Sequence, residues 1–130
     1  MPTAGRLTLY LKLFASYVHW LESRGRPPRW AQITVVFALT AAALANIAAV
    51  IILIQATGGP PVVDWVADNS WVTWVAVIAC LVSHWFLSRK IPPVDARKSM
   101  PVTRVWWTAY MVLTLLLWVF AIALTLSGME

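Results

Sequence analysis

Carboxylates are scarce in this chain: five Asp and Glu residues stand against ten Lys and Arg in 130 residues. No Glu occurs between Glu22 and Glu130, and the one closely spaced acidic pair is Asp64 and Asp68. General acid–base chemistry built on paired carboxylates therefore has little to draw on. Histidines are His19 and His84, and the single cysteine is Cys80. One cysteine excludes an internal disulfide and any cysteine-built metal cage. A Gly-rich phosphate loop, a His/Glu metal motif and a Ser-His-Asp set with mid-membrane acids are all missing. No enzyme is expected. Charged residues make up 12% of the chain, against about 25% in an ordinary soluble domain. So little charge cannot coat a body this small in water.

What the chain does have is long uncharged stretches. The composition is 61% hydrophobic with a mean hydropathy of +0.75. Trp30 to Val63 contains no Asp, Glu, Lys, Arg or His, and its apolar part, Ile33 to Ala56, exceeds the roughly 20 residues that cross a bilayer core. Asn69 to Ser88, with His84 but no Asp, Glu, Lys or Arg, and Val105 to Leu126 are two more uncharged runs. The breakers Gly58-Gly59-Pro60-Pro61 and Pro92-Pro93 fall between them. The runs are too long for strands and lack the alternation of barrel strands. The reading is all-α: an integral membrane three-helix bundle with helices at about 31–56, 69–88 and 104–127, making a transmembrane domain over 30–130. Residues 1–29 form an N-terminal amphipathic interfacial helix and a basic linker.

Arg6, Lys12, Arg24, Arg26 and Arg29 precede the first span, and Arg89, Lys90, Arg97, Lys98 and Arg104 separate the second from the third. The other connection and the tail carry only Asp64, Asp68 and Glu130. By the positive-inside rule the N-terminus is expected in the cytoplasm and the C-terminus outside, in the inner membrane. The positive charge then faces anionic headgroups, and no nucleic-acid partner is inferred. Within Gly5 to Ser23, the residues Leu7, Tyr10, Leu11, Phe14, Tyr17, Val18 and Leu21 share one helical face, with Lys12, Ser16, His19 and Ser23 opposite. Such a helix is expected to lie in the membrane interface. A signal peptide is excluded because Lys12 interrupts the apolar stretch and no cleavage site follows.

The spans differ in strength. Twelve Leu, Ile, Val or Phe residues between Ile33 and Ile54 favour insertion by roughly 4–7 kcal/mol. The second span has eight between Trp71 and Leu87, worth roughly 2.5–5 kcal/mol, and carries His84. It is the marginal one, expected inside a bundle. The first span bears Ala41, Ala45 and Ala49, with Ala38, Ala42 and Asn46 beside them. Small residues at four-residue spacing let helices approach closely, and the asparagine wants a hydrogen-bond partner. The partner helix, in this chain or another, stays open. Trp30, Trp85, Trp106, Trp107 and Tyr110 at one end, and Trp65, Trp71 and Trp74 at the other, read as aromatic belts.

His84 lies about 7 Å inside the basic boundary, five residues before Arg89. An ionisable residue there is a candidate cofactor ligand; the alternative is an imidazole meeting headgroups or a neighbouring helix. Asp64 and Asp68 at the outer mouth suit a cation or a proton relay. Helix capping by Asp68, Asn69 and Ser70, with Val62–Ala67 as a short turn, accounts for them more simply. The surface helix with three spans is also the layout of small prokaryotic diacylglycerol kinases, but their acidic motif has no counterpart here. These observations point to a small non-catalytic accessory or scaffolding subunit of a larger membrane complex, its partners the lipid bilayer and other subunits, in a hetero-oligomer rather than a homo-oligomer. The alternatives are a respiratory-type anchor subunit contacting a haem or quinone through His84, shared with a partner, and a homo-oligomeric holin-like pore. No cofactor is expected on the chain's own residues.

Overall fold

In the computed structural model, which describes residues 2–98, 102 and 104–128, every regular element is a helix. Glu130, and the side chains of Arg6, Leu7 and Lys98, lie outside the described residues. Two glycines punctuate the first half. Helix α1 (Pro2–Ser23) closes at Gly25, whose φ of 86° is left-handed. There the Gly25 and Arg26 N–H groups donate to the carbonyls of Glu22 and Leu21 at 3.0 and 3.2 Å. Helix α2 (Pro28–Ala56) repeats the device at Gly58, φ 88°, with Gly58 and Gly59 donating to Gln55 and Ile54 at 3.3 and 2.9 Å. This pairing takes up carbonyls that a helix end leaves without partners. A Cβ on Gly59 would lie 2.6 Å from the Ile54 carbonyl oxygen, so no side chain fits without moving the backbone. Pro28 starts α2, where its missing N–H costs nothing.

The chain continues through α3 (Val62–Asp68), α4 (Ser70–Ser88), α5 (Val94–Lys98) and α6 (Val105–Gly128). Helices α2, α4 and α6 are long and apolar enough to cross a membrane, with mean hydropathies of 2.5, 1.6 and 2.3. This is a multi-pass membrane protein, and its spans fall within a few residues of the expected boundaries. At 29 residues, α2 is about 43 Å long and overshoots a hydrocarbon core of about 30 Å. Its first turns lie at the basic end, the end that carries Arg24, Arg26, Arg29, Arg89, Lys90 and Arg104.

That part of α2 is where the core sits. Leu13, Phe14, Ala15 and Val18 of α1 bury against Ala31, Val35, Val36 and Leu39 of α2 and against Ile91. Leu81 and Leu87 of α4 and Trp107, Tyr110 and Met111 of α6 close over them. Helix α1 is thus built into the basic end of the bundle, and one expectation needs correcting. Ser16 and His19, placed on its water-facing side, are buried. The connection from α4 to α6 comes back onto α1 through α5. Arg97 of α5 is 2% exposed and grips Glu22 with two parallel bonds, Nε to Oε1 at 2.8 Å and Nη2 to Oε2 at 3.0 Å. Its Nη1 also donates to the Pro92 carbonyl at 2.7 Å. Arg97 therefore does not face headgroups, as the topology reading had it.

A second correction concerns α4. Expected inside a bundle, it lies at the edge of this one, with only His84 and Ser88 buried. Helix α2 occupies the centre, packing against α1, α3, α4 and α6. Helix α4 touches α2 along one side and leaves Trp71, Trp74, Val75, Ile78 and Val82 exposed on another.

Candidate functional site

Four helices meet at a small polar cluster near the basic end. His84 of α4 is buried. Its Nδ1 bonds the Cys80 carbonyl, one turn back, at 2.7 Å, and its Nε2 meets the Tyr10 hydroxyl of α1 at 2.5 Å. A carbonyl only accepts, so Nδ1 carries a proton; in the neutral ring Nε2 then accepts from Tyr10. The Tyr10 ring packs edge-on to Tyr110 of α6, centroids 6.4 Å apart. The Tyr110 hydroxyl in turn accepts from Asn46 Nδ2 of α2 at 3.0 Å. Asn46 was expected to need a partner, and Tyr110 is that partner. Neither tyrosine was read from the sequence as a bridging residue: Tyr10 was assigned to an apolar face and Tyr110 to an aromatic belt. The available signal was that a tyrosine buried in a low-dielectric site needs a place for its hydroxyl.

Both His84 nitrogens are thus engaged. Metal ligation through Nε2 would require the Tyr10 bond to break first. Among the described residues no group of three His, Cys, Asp or Glu side chains is placed to hold a metal ion. Thr40 Oγ1 and Trp107 Nε1 are buried and have no hydrogen-bond partner among the described residues. The arrangement ties α1 to α4 and α2 to α6.

Burial first, then the neighbouring Tyr110 and Cys80, push the Tyr10 hydroxyl well above its ordinary value of 10.0. Burial also raises Tyr17. A phenol held protonated in the fold but able to ionise when unfolded adds stability that is complete below pH 10 and is lost as pH climbs through the raised value. Alkaline titration of the melting temperature should therefore show a decline beginning near pH 10. Tyr10→Phe should blunt that decline and, by leaving Nε2 buried without a donor, lower stability at neutral pH by about 1–3 kcal/mol. An unchanged melting temperature at neutral pH would show that the bond contributes nothing.

The remaining candidates divide. Ala49 is fully buried and Ala45 half-buried, whereas Ala41 is exposed and its neighbour Ala42 is buried. Asp64 and Asp68 are both exposed on α3. Asp64 accepts from Gln55 Nε2 at 3.3 Å, while Gln55 Oε1 takes the Val63 N–H at 2.9 Å, so α2 fastens the start of α3. Capping of α4 by side chains does not occur: Asn69 precedes the helix, but its side chain donates back to the Trp65 carbonyl at 2.8 Å. At the basic end Trp107 packs on protein, whereas Trp30 and Trp85 are exposed. Trp107 stacks on Tyr17 with centroids 4.7 Å apart and lies against Trp20 at 5.0 Å, and Lys12 sits over the Trp106 ring at 5.1 Å. The chain matches no family model, no curated protein and no solved structure.

Proposed function

We propose that this protein is a non-catalytic accessory or scaffolding subunit of a larger membrane complex in the inner membrane, with its basic end in the cytoplasm. The carrying observation is α4. It is the least apolar span, at a mean hydropathy of 1.6, yet this chain covers it along one side only. A marginal span left at the edge of its own bundle is suited to a neighbouring subunit. The polar groups near the bundle centre support the same reading, because Asn46, Tyr110, Tyr10 and His84 are spent on one another. Segregation of the basic residues to one end supports the orientation.

Purification from native membranes in mild detergent, followed by mass spectrometry, tests the reading. Stoichiometric co-purification of unlike subunits is expected. Recovery as a lone monomer would sink the proposal. A chromophore travelling with the chain and lost in His84→Gln would favour the anchor-subunit alternative, and a leaking homo-oligomer the pore. A cysteine introduced at Ser127 should react with external reagent if the orientation holds.

A further inference from the structure

A pocket of 310 Å³ opens at the basic end between the first turns of α2 and the last turn of α4, lined by Arg29, Gln32, Ile33, Trp85, Ser88 and Arg89. The polar groups of its floor are occupied. Gln32 Nε2 donates to the Ser88 carbonyl at 2.7 Å, and Ser88 Oγ donates to the Trp85 carbonyl at 2.5 Å. What stays open is the pair of guanidiniums. Arg29 and Arg89 are exposed, and among the described residues neither pairs with a carboxylate, in contrast to Arg97. Arg89 is held beside the Trp85 ring, 5.9 Å from its centroid. The lining is also ordered by depth: the arginines stand at the helix ends, while Ile33 and Trp85 lie further into their spans. The α2 N-terminus favours an anion here and the α4 C-terminus opposes it, so the attraction rests on the arginines.

We propose that this pocket binds the phosphate of an anionic phospholipid, with Arg29 and Arg89 on the phosphate oxygens and an acyl chain along Ile33 and Trp85. Guanidinium matches phosphate oxygens in paired geometry, and basic pockets between spans are suited to acidic headgroups. A charged rim followed inward by apolar side chains repeats the order of groups in such a lipid. The site stands apart from the subunit reading and survives if that reading fails.

The test uses the full chain in mild detergent, with native mass spectrometry and melting temperature read against added phosphatidylglycerol, phosphatidylcholine or inorganic phosphate. Phosphatidylglycerol should be retained and should raise the melting temperature. Phosphatidylcholine should not, and excess inorganic phosphate should not displace the lipid. The double change Arg29→Gln with Arg89→Gln should weaken phosphatidylglycerol binding about thirtyfold, at about a kcal/mol per basic residue. Arg24→Gln with Arg26→Gln, the same loss of charge outside the pocket, should stay close to wild type. Should the first double variant fail to fold, Ile33→Trp fills the pocket while keeping both guanidiniums and should also lose the lipid. Equal losses in the two double variants would mean diffuse surface attraction and overturn the site. Protection by inorganic phosphate alone would overturn the lipid as its occupant.

Discussion

Replacing Arg97 by alanine is expected to release α1 from the bundle and to cost about 3–5 kcal/mol of stability, the usual penalty for stranding one member of a buried ion pair. The pair has the features that make it matter. Its arginine and glutamate side chains are 3% and 13% exposed, the contact is two-pronged, and the third guanidinium nitrogen holds the Pro92 carbonyl. Glu22→Ala should cause a loss of similar kind, and the two changes together should cost less than their sum, because the second removes a group already without its partner. Melting of the detergent-purified chain measures the stability. Hydrogen exchange at the α1 amides measures release, since a helix that comes away from its packing loses protection. Strictly additive losses would mean that Arg97 and Glu22 act separately.

The second large effect is expected at Phe14. This ring is fully buried, the largest such side chain in the core, with Val18, Val35 and Leu39 also fully buried in the same cluster. Phe14→Ala opens a cavity among four helices, and such a truncation costs about 3–5 kcal/mol. In lipid the loss should fall near the lower figure, because acyl chains accept apolar surface about as readily as the core does and mainly the packing contribution is forfeited. The same melting and hydrogen-exchange assays apply. Phe14→Leu, which keeps most of the volume, should recover much of the loss. A Phe14→Ala protein as stable as wild type would mean that α1 is held by its polar contacts alone.

The three spans were legible because a bilayer imposes a rule that sequence records directly: long runs without charge, ended by Gly-Pro breakers and basic residues. Their ends at Ala56 and Ser88 could be read from Gly58 and Arg89 almost to the residue. The placement of α1 was not legible. Apolar residues at helical spacing state that a face is buried, but acyl chains and protein leave the same pattern. Ser16 and His19 read as water-facing because nothing in their neighbourhood announces their burial, just as nothing near Glu22 announces an arginine partner 75 positions later. Tyr10 finding His84 across 74 positions is hidden for the same reason. Local periodicity carries burial; it does not carry partners.

Helix α1 leaves the ribosome before the three spans, and besides α2 much of what holds it arrives later still. Its companions His84, Arg97, Trp107 and Tyr110 belong to the second and third spans and the segment joining them. Contacts this distant in sequence are slow to form because the intervening chain must be closed first. Until then only the hairpin with α2 is open to α1, and its buried serine, histidine and glutamate must wait in the headgroup layer. The basic end of this protein is therefore completed as the last act of biogenesis, and a bulky tag on the N-terminus should leave insertion of the spans untouched while trapping molecules one step short of assembly.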